Sequence, residues 1–71
     1  MIKKTTVHGF NVEYEENALE GIRYLRDDLD FSEAEIFFDR ARYKGSARFE
    51  DDEDRQYTLL YKNWIYTLVR R

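Results

Sequence analysis

The 71 residues allow one small domain, which buries only about 60% of the surface its unfolded chain would expose. The absence of cysteine excludes disulfides and thiolate zinc sites, the lone histidine excludes a multi-histidine centre, and no run of 18 apolar residues offers a membrane span. A hydrophobic share of 42% with 17% aromatics sets the chain apart from disordered, charge-dominated ones, while the net charge of −3 argues against nucleic-acid binding by bulk charge.

The first element spans Lys3 to Tyr14. His8-Gly9 divides two β-prone runs, and glycine supplies the positive φ of a tight hairpin turn. A two-residue turn opposes Val7 to Phe10, Thr5 to Val12 and Lys3 to Tyr14. Val7, Phe10, Val12 and Tyr14 then share one face, and Lys4, Thr6, Asn11 and Glu13 the other, the period-2 split of a strand pair with one wet side. His8 reads as a solvated turn residue, with no second ligand nearby for zinc. The opening residues carry no apolar stretch after Lys3 and Lys4, so no secretory signal is expected, and a reducing, cytoplasmic setting follows.

A helix is expected next, with Asn17 as its N-cap and Leu19, Ile22, Leu25 and Leu29 as its apolar stripe. Gly21 inside it costs about 1 kcal/mol against alanine unless it marks close contact with a sheet. A second helix start is written at Phe31 to Ile36. Ser32 can cap, Glu35 completes a capping box, and Phe31 with Ile36 forms a hydrophobic staple. Ala34, Phe37, Phe38 and Ala41 make the buried stripe; Arg40, Arg42 and Lys44 suit the C-terminal dipole, and Gly45 ends the helix in the left-handed conformation.

Three strands follow: Ser46 to Phe49, Gln56 to Lys62 and Ile65 to Arg70. The last hairpin has two registers, one turning at Lys62-Asn63 and one at Asn63-Trp64. Asparagine leads the common primed turn, which favours the second, although that turn asks bulky Trp64 for a positive φ. Both registers put Tyr57, Leu59, Tyr61, Tyr66 and Leu68 on one face, the bulkier and therefore the core face. Thr58, Leu60, Ile65, Thr67 and Val69 take the other. The expected architecture is α+β, a small single domain over 1–71 in ββααβββ order, with a mostly antiparallel sheet and two helices packed on one face. In size and element order the chain resembles many small proteins encoded by phages and mobile elements, a likeness of style that no motif carries.

Charge is sorted along the chain. All 15 acids lie between Glu13 and Asp54 with six bases, a net −9; the two ends hold six cations, Lys3, Lys4, Arg55, Lys62, Arg70 and Arg71, and no acid. Acids cluster at Asp27, Asp28 and Asp30 and at Glu50, Asp51, Asp52, Glu53 and Asp54. The first cluster sits against a helix dipole, with Asp30 placed to help start the second helix. The second lacks the glycine and spacing of a calcium loop. The run reads as an exposed loop of mutually repelling carboxylates, partly offset by Arg48 and Arg55, so replacing Asp51, Asp52 and Asp54 with asparagine is expected to leave the fold intact or firmer.

No catalytic constellation, phosphate loop, metal site or cofactor motif is present. The acids, with Trp64 as an aromatic anchor, point to a small non-enzymatic protein-interaction module, an inhibitor or regulator that presents acidic and aromatic surface to a basic protein partner. Uncovered Leu60, Ile65 and Val69 point to an interface, a homodimer among the expectations. The alternative is a sheet that binds single-stranded nucleic acid through Lys3, Lys4, Lys62, Arg70 and Arg71 interleaved with Tyr61 and Tyr66. A third reading, phosphodiester cleavage by Arg, Tyr and His, needs a basic groove that the overall acidity opposes.

Overall fold

A computed structural model describes residues 2–71. Strands β1 (Lys3–Val7) and β2 (Phe10–Tyr14) form the expected hairpin in the expected register, turning through His8 and Gly9 at φ 50° and 89°. A helical segment follows: a 3-10 turn (Glu16–Ala18), helix α1 (Leu19–Arg23) and a π-type turn (Tyr24–Asp28). Helix α2 (Phe31–Lys44) then leads to β3 (Ser46–Glu50), β4 (Gln56–Lys62) and β5 (Ile65–Arg70). The five strands lie in the order β1-β2-β5-β4-β3, antiparallel except where β5 inserts beside β2 in parallel. The architecture is thus α+β, with the helices over one face of a mostly antiparallel sheet.

Side-chain alternation decides that face. Tyr57, Leu59, Tyr66 and Leu68 are buried with Val7, Val12 and Tyr14 beneath Ile22, Leu25, Ala34, Phe38 and Ala41. Two aromatic chains run through this core: Phe10 stacks on Phe38 at 4.2 Å with Tyr66 edge-on to both, and Phe49 lies against Tyr24, Phe37 and Tyr57. Gly21 is where the first helical segment touches the sheet. A Cβ there would stand 2.8 Å from Tyr57 and 2.9 Å from Leu68, so the glycine is required by packing.

Both expected N-caps are corrected. Asn17 lies inside the 3-10 turn, and Glu15 precedes it without a side-chain cap bond. In α2 the cap is Asp30, not Ser32. The Asp30 carboxylate accepts from the Glu33 backbone N–H at 2.9 Å, and Glu33 accepts from the Asp30 N–H at 3.1 Å. The chain spells two overlapping boxes, Asp30 with Glu33 and Ser32 with Glu35. Starting at Asp30 puts a full carboxylate on the positive end of the dipole and brings Phe31 into the helix, 6.2 Å from Phe10. The staple is lost with Ser32: Ile36 is exposed. The buried stripe keeps its phase because adding residues at a helix start does not rotate those already in it.

His8 is not a solvated turn residue. Half-buried, its Nε2 donates to the Leu25 and Leu29 carbonyls at 2.9 and 3.2 Å, satisfying oxygens left open where the first helical segment ends. At the far end of α2, Gly45 adopts φ 87° and its N–H donates to the Ala41 carbonyl, as expected of a left-handed cap.

Candidate acidic groove and aromatic pole

The β3–β4 connection begins with an acid that folds inward. Asp51 ends the exposed reach of β3 and turns its carboxylate under the loop. Its Oδ1 accepts from the backbone N–H groups of Glu53 (2.9 Å) and Arg55 (3.0 Å); its Oδ2 accepts from Arg55 Nε (2.7 Å) and the Tyr57 hydroxyl (3.1 Å). Only 8% of the residue is exposed. Burial opposes its charge, but the Arg55 guanidinium, the two backbone N–H groups and Tyr57 outweigh it and hold its pKa at about 2. Burial and Asp51 in turn push the Tyr57 hydroxyl above its ordinary range. Asp51 therefore anchors the loop structurally, and its four accepted bonds run against the expectation that replacing Asp51, Asp52 and Asp54 with asparagine leaves the fold intact or firmer. Four accepted hydrogen bonds saturate an ion that the loop then encloses.

Once Asp51 has claimed Arg55, the remaining acids stand with less compensation. Asp28, from the π-type turn, and Asp52, from the loop, come together in a groove of about 160 Å³ with Glu20, Glu53 and Tyr24 along its walls. Burial and the Asp52 carboxylate, close enough to share a hydrogen bond, both raise the Asp28 pKa. Burial, then Asp52 and Asp28, raise the Tyr24 hydroxyl as well. Arg55 reaches Glu53 at 3.6 Å and Glu20 at 3.8 Å beyond its main bond to Asp51, and Arg23 is tied to Glu20 at 3.2 Å. Arg23 and Arg55 also line this groove but are engaged with Glu20, Asp51 and Glu53, and among the described residues neither Asp28 nor Asp52 forms an ion pair.

The other predicted acids stand apart from this pair. Asp27 is held by Arg26 through two bonds of 3.0 and 3.1 Å, which lower its pKa. Asp30 is the α2 cap. Glu50 belongs to β3 rather than to the loop, and accepts from Gln56. Asp54 is exposed at φ 62°, a conformation aspartate tolerates.

The opposite end of β4 carries the aromatic pole. The hairpin turns at Asn63 and Trp64, with Lys62 opposite Ile65 and Tyr61 opposite Tyr66. Asn63 and Trp64 take φ 52° and 70°. A left-handed backbone costs a bulky residue about 1–2 kcal/mol, and Trp64 recovers little of it by burial because 78% of it is exposed. Trp64, half-buried Tyr61, Phe10, Asn11 and Arg42 border a second groove of about 280 Å³.

The residues of the nucleic-acid alternative are scattered. Tyr66 is buried under α2, so its ring is closed to stacking. Lys3 and Lys4 pair with Glu16 and Glu13, and Arg71 bonds Gln56 near the start of β4, where Arg70 also lies opposite Tyr57. Only Tyr61 and Lys62 stay beside Trp64. Leu60, Ile65 and Val69 line the uncovered sheet face, Leu60 and Ile65 about two-fifths exposed and Val69 less so.

Among the described residues no cluster of three or more His, Asp or Glu is placed to hold a metal ion, and no helix is long and apolar enough to cross a membrane. Asp51 left a faint signal in the sequence, an aspartate opening a tight loop where its side chain can bond backbone N–H groups two and four residues on. Nothing in the sequence pointed to Tyr24 as a groove wall. No protein-family model, curated protein or solved structure matches the chain.

Proposed function

We propose that the protein is a small non-enzymatic interaction module, an inhibitor or regulator, whose acidic groove receives a basic side chain of a protein partner. The observation that carries this reading is the Asp28–Asp52 pair: two carboxylates from separate segments meet, neither in an ion pair among the described residues, while Arg23 and Arg55 of the same groove are held by other acids. A guanidinium or ammonium inserted between them would replace repulsion by paired hydrogen bonds, and the Tyr24 ring beside them suits an arginine face. Glu20 and Glu53 at the walls would speed the approach of such a partner.

The test is the Asp28→Asn, Asp52→Asn double variant. An acid whose folded pKa is raised opposes folding when ionised, so stability is present below its ordinary pKa and lost as pH rises through the folded one. The variant should therefore melt at or above the wild-type temperature at pH 7 and show no such advantage at pH 3. Arginine-rich peptides should bind the wild type with association rates that fall with salt, and bind the variant more slowly. Equal, salt-insensitive rates for both proteins would end this reading.

A further inference from the structure

Trp64 is the chain's only tryptophan, held in a backbone conformation suited to glycine and left in solvent. Folding gains little from it there: glycine at that turn position would relieve the strain, and a polar residue would dissolve better. Its surroundings differ from the rest of the surface. Tyr61 lies next to it, Asn11 offers an amide at the rim, and the one charged residue lining the groove is Arg42. The last turn of α2 and the end of β4 meet here, where the Tyr61 N–H donates to the Gly45 carbonyl at 3.2 Å. That junction brings Lys44 and Lys62 to the same end of the molecule, outside the groove itself, with Lys62 opposite Ile65 on the uncovered sheet face. Among the described residues none of Arg42, Lys44 and Lys62 forms an ion pair. Asp39, three residues before Arg42, is the nearest acid to it along α2. Asp27, Asp30, Glu33 and Asp51 are committed to pairs and caps, and Asp28, Asp52, Glu20 and Glu53 line the groove at the other end.

We infer that this pole, Trp64 and Tyr61 with Arg42, Lys44 and Lys62, binds single-stranded nucleic acid, one base stacking on the exposed indole while the cations take the flanking phosphates. Charge complementarity selects this occupant. Unpaired cations around an open indole face match a chain that alternates flat rings with anions, and stacking is tolerant of base identity. The acids of the opposite pole would keep a strand confined to this end. A binding site of about two bases with two or three phosphate contacts is weak by design, with a logarithmic salt slope near −1.4 to −2.

The single tryptophan reports directly. Titration with a ten-residue oligothymidylate or oligouridylate in about 20 mM salt should quench Trp64 fluorescence, and the quenching should reverse as salt is raised. By anisotropy of a labelled oligonucleotide, Trp64→Gly should weaken binding about tenfold or more while keeping a melting temperature at least that of the wild type, and Trp64→Phe should retain most of the affinity. Arg42→Ala should weaken binding and flatten the salt slope. The Asp28→Asn, Asp52→Asn variant should bind the oligonucleotide at least as well as wild type, which separates this pole from the acidic groove. Absence of quenching at low salt, unchanged binding in Trp64→Gly, or equal quenching by polyglutamate, the mark of an acidic protein as occupant, would each overturn the inference.

Discussion

The two connections at the ends of β4 treat their side chains in opposite ways. Before β4, a charged residue goes inside: Asp51 is enclosed and receives three hydrogen bonds from the loop that follows it and one from Tyr57 of β4. After β4, a large apolar residue stays outside: Trp64 is strained and exposed at the turn. Residue type alone would have assigned them the other way round. The comparison shows that in a domain this small, local hydrogen-bond supply decides burial as much as hydropathy does. A loop that offers two backbone N–H groups and a guanidinium, over a strand that adds a hydroxyl, can take in a carboxylate, whereas a two-residue turn has no interior to offer an indole.

The sharpest way to break the contrast is to remove the inward acid. Asp51→Ala strands Arg55 and the Tyr57 hydroxyl and should lower stability by about 3 kcal/mol, measured by urea denaturation. A loss no larger than that of Asp54→Ala would mean that the loop does not depend on its anchor.

Acid titrates the same anchor without mutation. With a folded pKa of about 2 and an unfolded value near 3.9, the Asp51 contribution is complete above about pH 4 and is lost as pH falls toward 2. The difference corresponds to about 3 kcal/mol across that window. Denaturation midpoints of wild type and Asp51→Asn should converge as the pH is lowered; parallel curves would assign the acid sensitivity to other carboxylates.

The outward residue should respond with the opposite sign and a smaller size. Trp64→Gly should raise stability by about 1 kcal/mol by placing glycine where φ is 70°. A clear loss of stability would show that the indole contributes packing of its own, and the two ends of β4 would then differ less than their exposures suggest.

Much of the fold was legible from side-chain periodicity and turn chemistry. Alternation along Tyr57 to Tyr61 and Tyr66 to Leu68 named the core face, because a strand has only two faces and the bulkier must be covered. His8-Gly9 and Asn63-Trp64 set two registers through their tolerance of positive φ, and Gly45 marked the end of α2. The stripe Ala34, Phe38 and Ala41 was readable even though the cap was misplaced from Asp30 to Ser32, since phase along a helix does not depend on where it starts. The parallel seating of β5 beside β2, the capping of the first helical segment by His8, and the meeting of Asp28 with Asp52 were settled only in three dimensions. Each joins residues 17 or more apart in the chain, and no local preference carries information about such partners. The same holds for the acidic run: sequence shows five adjacent carboxylates as equivalents, and only the folded loop, by supplying donors to one and solvent to the rest, makes Asp51 an anchor and leaves Asp52 facing Asp28.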